Sequence, residues 1–370
     1  MHILWLDPFH GGSHAAVALG YAAHSAHRVE LLTMPIAGGW RWRMRGAAVS
    51  MARRVRAHDA RPDLIIASDM LDLATFRGLT ADCFGKLPTA IYFHENQLTY
   101  PLPPERTRDL SFAWVNYTSA LAADAVIFNS AFHQREFLAA LPGLLGRYHD
   151  YQELESIAAI AAKSHVLPPG IDSASLDSLK LHPPTLLWNS RWEYDKQPAV
   201  FFAALEQLEQ RGITFRLIVA GEHIDPAAPA FVAARERWAA TIDHWGYAPS
   251  RAAYAKLLQR ADIVVSTAAQ EFFGISVIEA MAYGCVPVLP RRLTYPELLP
   301  LDYHTDCLYD RDDDLADRLA TTISQLDRLR KRDWPAIAAP YAWARLVPQY
   351  DALFESVQQP TDSSDNKVTR

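Results

Sequence analysis

Short apolar runs alternate with longer amphipathic segments along almost the whole chain. Runs at 3–6, 29–33, 64–67, 90–93, 125–129 and 165–167 are rich in branched or aromatic residues, and each closes on Pro, Gly or a polar residue. Such runs predict buried strands, and the segments between them predict crossover helices. The chain then breaks at Pro168-Pro169-Gly170 and His182-Pro183-Pro184, after which the rhythm restarts with runs at 186–189, 215–220, 242–245, 263–266 and 286–289. This repeated alternation predicts an α/β protein with two Rossmann-like domains, 1–180 and 181–345, facing each other across a cleft at the carboxyl ends of both sheets. A terminal helix is expected over 346–358, its apolar–aromatic pattern beginning at Trp343. The polar tail 359–370 is expected to be disordered.

Composition narrows the class. At 370 residues the chain is too long for one ordinary core. Half of it is hydrophobic and 21% is charged, as in soluble globular proteins. No apolar run approaches the ~18–20 residues of a membrane span, so no stable membrane association is expected. The N-terminal run lacks a basic flank and a small-residue cleavage site and reads as the first strand. Cys83, Cys285 and Cys307 are scattered, which fits a reducing compartment and a cytoplasmic location. The net charge of −6 excludes a general polycation, yet Arg41, Arg43, Arg45, Arg53, Arg54, Arg56 and Arg61 crowd one segment whose sole acid is Asp59. A polyanion could be met at that face; a merely solvated helix is the plainer explanation of the charge run alone.

Four groups of residues carry candidate chemistry. The run 270–280 combines Glu271, a turn at Gly274 and a helix bearing Glu279. Free N–H groups at the start of that helix suit a diphosphate, and carboxylates accept from vicinal hydroxyls of ribose or sugar. Arg191 and Lys196 flank the turn after the run 186–189, where two cations can neutralise a departing nucleoside diphosphate. Gly11 and Gly12, between the first strand and first helix, let backbone approach a ligand. His94, Glu95, Asn96 and Gln97 form a polar cluster at a strand's carboxyl end, facing the sugar or an acceptor. His14, His94 and His133 lack metal-ligand spacing, so no metal is expected. Asp312-Asp313-Asp314 reads as a helix cap.

The Arg191/Lys196 pair with Glu271 and Glu279 resembles the donor site of the retaining GT-B glycosyltransferases of family 4. The first half narrows this. Phe9-His10-Gly11-Gly12-Ser13-His14, Trp40-Arg41-Trp42-Arg43, Tyr92-Phe93-His94-Glu95-Asn96-Gln97, Phe128-Asn129-Ser130, His244-Trp245-Gly246-Tyr247 and Glu271-Phe272-Phe273-Gly274 are similar to the tRNA-queuosine α-mannosyltransferase family, in family order.

The resemblance implies a GT-B fold and retaining transfer of mannose from GDP-mannose to the cyclopentenediol of queuosine in a tRNA anticodon (tRNA-Asp). It implies neither metal nor redox cofactor. Residue reading and resemblance together give Arg191, Lys196, Glu271 and His94 as the catalytic group. They give Gly11, Gly12, Gly246, Tyr247, Phe272, Phe273, Gly274, Ile275 and Glu279 as donor contacts, and His14, Trp40, Arg41, Trp42, Arg43, Arg45, Glu95, Asn96 and Gln97 as acceptor contacts. The tryptophans among those arginines offer stacking platforms beside phosphate contacts. Rival readings are a family 4 transferase with a lipid or glycan acceptor, a nucleotide-sugar epimerase, and a non-catalytic tRNA- or nucleotide-binding protein.

Overall fold

The computed structural model describes residues 1–57, 61–102, 106–147, 149–172, 182–222 and 228–358. The first sheet contains β1 (His2–His10), β2 (Arg28–Pro35), β3 (Leu64–Ser68), β4 (Thr89–Phe93), β5 (Ala125–Phe128) and β6 (Ser164–Val166). The second contains β7 (Thr185–Asn189), β8 (Arg216–Ala220), β9 (Ile242–Gly246), β10 (Ile263–Val265), β11 (Val286–Pro290) and β12 (Leu308–Tyr309). Their orders are β2-β1-β3-β4-β5-β6 and β12-β11-β10-β7-β8-β9, with every pairing parallel. Helices cover both faces of such sheets, which is why β3, β4, β7 and β11 are apolar without alternation and buried at every position.

In each sheet the order reverses beside the first strand, between β1 and β3 and between β7 and β10. Ligands of open parallel sheets bind outside the carboxyl ends of the strands at these switch points. β1 runs to His10, past the end expected at residue 6, with its pairing to β2 interrupted between Asp7 and His10. The extension carries Asp7 and His10 onto the cleft edge of the sheet.

The expected domain boundary near 180 and the expected disordered tail lie outside the described residues. The return crossing is described: Ile171 bridges Ala342, and the helix Trp343–Gln358 follows. Its Tyr350 and Phe354 pack with Tyr21, Tyr92 and Ile3 of the first domain, and Tyr21 donates a 2.8 Å hydrogen bond to Asp351. The terminal helix therefore completes the first core, while Trp334 just before it belongs to the second. Asp312–Asp314 forms a short 3-10 turn capped by Asp314 on the Arg311 N–H, with Asp312 paired to Arg292 at 2.9 Å.

The domains touch across the cleft. Ser130 donates to the Phe272 carbonyl at 2.5 Å, the His133 ring stacks on Phe272 at 3.9 Å, and Arg135 pairs with Glu297 at 2.5 Å. Nearer the cleft, Tyr100 donates to Asp195 at 3.2 Å.

Candidate active site

In the second domain the site begins where β7 ends. Asn189 donates to the Ser276 carbonyl at 2.9 Å and ties the strand to the helix Ile275–Ala282. The chain then turns through Arg191 into the 3-10 segment Tyr194–Lys196. Lys196 is buried; its Nζ donates to the Gln270 carbonyl at 2.6 Å and lies 3.2 Å from Asp195 and 3.4 Å from Glu271. Burial opposes its charge, but Glu271 and Asp195 outweigh it and hold the ammonium above its ordinary pKa. Arg191 is half exposed, 3.3 Å from Glu193. Both cations thus stand on the cleft wall with fixed positive charge.

Gly274 precedes the helix Ile275–Ala282 at φ 86°, a left-handed conformation that any other residue adopts only under strain. No side chain caps this helix start, leaving its first N–H groups available to an anion. Glu279 projects from the same helix and is nearly buried. Burial raises its pKa, and Arg251, 2.6 Å away, pulls it back. Beside this pair opens a cavity of about 180 Å³, lined by Asp172, Arg251, Tyr254, Glu279 and Tyr283 among others. Gly246 is buried at the end of β9, and Tyr247 beyond it is 67% exposed, free to meet a ligand.

The first domain supplies a charged cluster at the β1/β3 switch point. Asp7 accepts from the Ser68 hydroxyl at 3.1 Å, contacts His10 at 2.8 Å and lies 3.6 Å from His14. Burial alone would raise the Asp7 carboxyl, but His10 and His14 hold it far below the usual range. His14 is likewise buried, yet Asp69 and Asp7 push it up to about 9. His94 is driven below its ordinary value by burial and by the charge on His14. Asp69 accepts from the His94 N–H at 2.9 Å and is raised to about 7 by burial. A donor atom from each of His14, Asp69 and His94 lies within 4.8 Å of the others. Glu95 is raised by burial, with His14 and Arg191 opposing, so its carboxyl faces cations of both domains.

Several expected contacts have structural occupations. Gly11 packs against Ile36, and Gly12 opens the helix Gly12–His24. Asn96 is fully buried; its side-chain Oδ1 accepts from the N–H groups of Leu98 and Thr99 and shapes the loop. Gln97 donates to Glu95 at 2.8 Å and orients it. Phe272 is sandwiched at the domain contact, Phe273 packs on Tyr341 at 5.4 Å, and Ile275 is half buried. The side chains of Phe272 and Phe273 are therefore committed to packing and not open to a ligand.

The arginine-rich segment forms the helix Trp40–Arg56. Trp40 packs edge-on against Phe112 at 5.0 Å, with the Arg41 guanidinium 4.5 Å from its ring. Trp42 is 47% exposed. Arg45 bonds Asp109 and Ser111. Arg43 departs from the expected acceptor role: it is buried and donates to the Pro35 and Ala37 carbonyls, so it braces the loop before the helix.

Comparison with known proteins places these features. The family model described as tRNA-queuosine alpha-mannosyltransferase N-terminal matches residues 2–171, and that of Glycosyl transferases group 1 matches 177–332. A tRNA-queuosine alpha-mannosyltransferase of Drosophila melanogaster is 34% identical over 81% of this chain and 82% of its own length. The chain belongs to the tRNA-queuosine alpha-mannosyltransferase family. A GDP-mannose-dependent alpha-(1-6)-phosphatidylinositol dimannoside mannosyltransferase of Mycobacterium tuberculosis is 25% identical over 91% of the chain and 84% of its own length. Among solved structures, the sucrose-phosphate synthase of Thermosynechococcus elongatus has a TM-score of 0.70 at 16% identity, covering 96% and 99% of the two chains. Anabaena Alr3699/HepE in complex with UDP and glucose has a TM-score of 0.66 at 18% identity, covering 96% and 100%. The fold of this family member is accordingly GT-B, and the protein is a glycosyltransferase. No helix among the described residues is long and apolar enough to cross a membrane.

Sequence reasoning missed four residues of this mannosyltransferase-family site. Asp7 and Asp69 stand at the carboxyl ends of β1 and β3, a position that could have flagged them once strand order was known. Asp195 lies in the segment 191–196, which resembles the family but assigns it no role; the structure sets it between Lys196 and Tyr100. Arg251 follows the helix-capping Ser250, where an arginine reads as ordinary surface.

Proposed function

We propose that this protein transfers mannose from GDP-mannose, with retention, to the cyclopentenediol of queuosine in the anticodon of a cytoplasmic tRNA. The observation that carries the reading is the convergence of Lys196, Arg191 and Glu271 of one domain with Glu95, His94 and His14 of the other. That arrangement sets a diphosphate-binding wall opposite a polar wall suited to a diol. Family membership and the 34% identical relative support the acceptor, and GDP-mannose is a donor named for the mycobacterial relative.

In this reading Arg191, Lys196 and the N–H groups after Gly274 neutralise the charge that grows on the departing diphosphate. Glu279 accepts from ribose once Arg251 releases it, Glu271 orients the mannose, and the backbone around Gly246 and Tyr247 meets the base. His94 abuts the sugar, and Glu95, held by Gln97, receives the acceptor diol. The acceptor oxygen bonds to the anomeric carbon on the face from which the phosphate oxygen leaves, and the hydroxyl proton passes to that phosphate oxygen. The residues themselves supply every charge this route needs, so no cofactor enters it.

Nucleoside analysis of queuosine-containing tRNA after incubation with GDP-mannose tests the proposal. A mannosylated queuosine supports it. Cleavage of GDP-mannose with unchanged nucleosides would move the acceptor elsewhere.

A further inference from the structure

The cleft accounts for a single nucleoside, yet an anticodon arrives attached to a stem. We infer that the exposed stripe of the helix Trp40–Arg56 is the docking surface for the phosphate backbone of the anticodon stem. This inference rests on the tRNA reading above and extends it to a surface outside the cleft.

At ~100° per residue, Arg41, Trp42, Arg45, Val49, Arg53 and Arg56 fall within an arc of about 120°, and all six are exposed. No aspartate or glutamate occurs anywhere from Trp40 to Arg56. Arg45 and Arg56 are paired with Asp109 and Asp82. Arg41 and Arg53 have no acidic partner among the described residues and carry uncompensated charge in a chain whose net charge is −6. Arg41, Arg43 and Arg45 also crowd the first two turns, where the helix dipole is positive, with no acid on the helix and no side-chain cap; Asp109 offsets Arg45 alone among them. Helix stability disfavours that arrangement; an external polyanion relieves it.

The aromatic member of the stripe is held in place. A Cβ on Gly46 would meet the Trp42 ring at 3.0 Å, so the bare backbone there seats the indole, and the Arg43 guanidinium lies 5.0 Å from its centroid. An exposed, fixed ring among arginines suits stacking on a base or ribose.

Position fits the same partner. The helix starts in the loop after β2, at the sheet edge that carries His14, Asp69 and His94, and its 17 residues extend about 25 Å from there. A stem leaving the cleft can follow it. An anionic bilayer fits less well, because Ala47, Ala48, Met51, Ala52 and Val55 on the opposite side are committed to the protein core and cannot insert.

The test uses the full chain with Arg53→Glu and Arg53→Lys, each checked for an unchanged melting temperature. Fluorescence anisotropy reads tRNA affinity against salt, transfer to free queuosine nucleoside reads the cleft, and co-sedimentation with phosphatidylserine vesicles reads the membrane alternative. Arg53→Glu is expected to weaken tRNA binding about tenfold and to make its log–log salt slope shallower by about one. Arg53→Lys retains binding, and nucleoside transfer is unchanged. Wild-type tRNA affinity in Arg53→Glu overturns the inference, as does a loss confined to vesicle binding. Stripe-dependent tRNA binding by a wild-type protein that transfers to neither acceptor upholds the surface and refutes the proposed activity.

Discussion

The imidazole rings of His14 and His94 stack 3.9 Å apart at 29°, and their surroundings set them in opposite protonation states. Asp69 and Asp7 keep His14 charged up to about pH 9 against its burial, while burial and that neighbouring charge keep His94 neutral. His14 is therefore a fixed cation stacked on a neutral ring, the ring that meets the sugar in the proposed reading.

The pH dependence follows from that pair. Transfer is expected to fall as pH rises through about 9, where His14 loses its proton. His14→Gln should have lower turnover and lack this alkaline limb. The sign for stability is the same. A histidine raised from its ordinary 6.5 to about 9 stabilises the fold fully below pH 6.5, and that contribution is lost as pH climbs to about 9. The melting-temperature gap between wild type and His14→Gln should shrink over that window. A gap that grows with pH contradicts the assignment.

The same cluster brings three potential metal donors together, His14, Asp69 and His94, and the proposed route uses no metal there. A charged His14 already offsets Asp7 there, and burial raises Asp69 to about 7, which weakens it as an anionic ligand. Dialysis against a chelator is expected to leave transfer unchanged, and activity restored by a divalent ion after such dialysis would contradict this.

The two halves of the donor site should separate kinetically. Lys196→Met removes charge from the leaving diphosphate and should lower turnover on the order of 10²-fold. Glu279→Ala removes a ribose contact made alike before and during reaction. It should raise the donor KM about tenfold or more with turnover nearly kept. Near-wild-type turnover in Lys196→Met would remove that residue from the mechanism.

Arg41 and Arg43 look equivalent in the sequence and are opposite in the structure. Arg43 is 7% exposed and bound to two backbone carbonyls. Its replacement by Ala should cost about 1.5–3 kcal/mol of folding stability, read by chemical denaturation. Arg41→Ala, which loses no acidic partner among the described residues, should leave stability within about 0.5 kcal/mol of wild type.

These contrasts mark what the sequence could convey. Eleven of the strands fall on runs read from the sequence, the central ones most plainly, because parallel strands buried on both faces are uninterrupted apolar runs, as at 64–67 and 186–189. β2, β6 and β9 are only partly buried and are carried by the alternation with helices. Lys196 and Glu271 could be grouped in the sequence because each follows a strand, β7 and β10, and Glu279 lies in the helix that follows Gly274. Three-dimensional pairing was not legible. Asp69 gains its role from β3 lying beside β1, Phe272 is claimed by His133 from the other domain, and the terminal helix returns to the first core through Tyr350 and Phe354. Periodicity identifies an element and its buried face, but not the distant face that covers it.

In the proposed reading this cleft mannosylates queuosine. Labelled GDP-mannose offered to queuosine-containing tRNA, with the same tRNA lacking queuosine alongside, tests it most directly. Label on the queuosine-containing tRNA alone is the predicted result. Equal labelling of both, or of neither while GDP-mannose remains bound, would contradict the account.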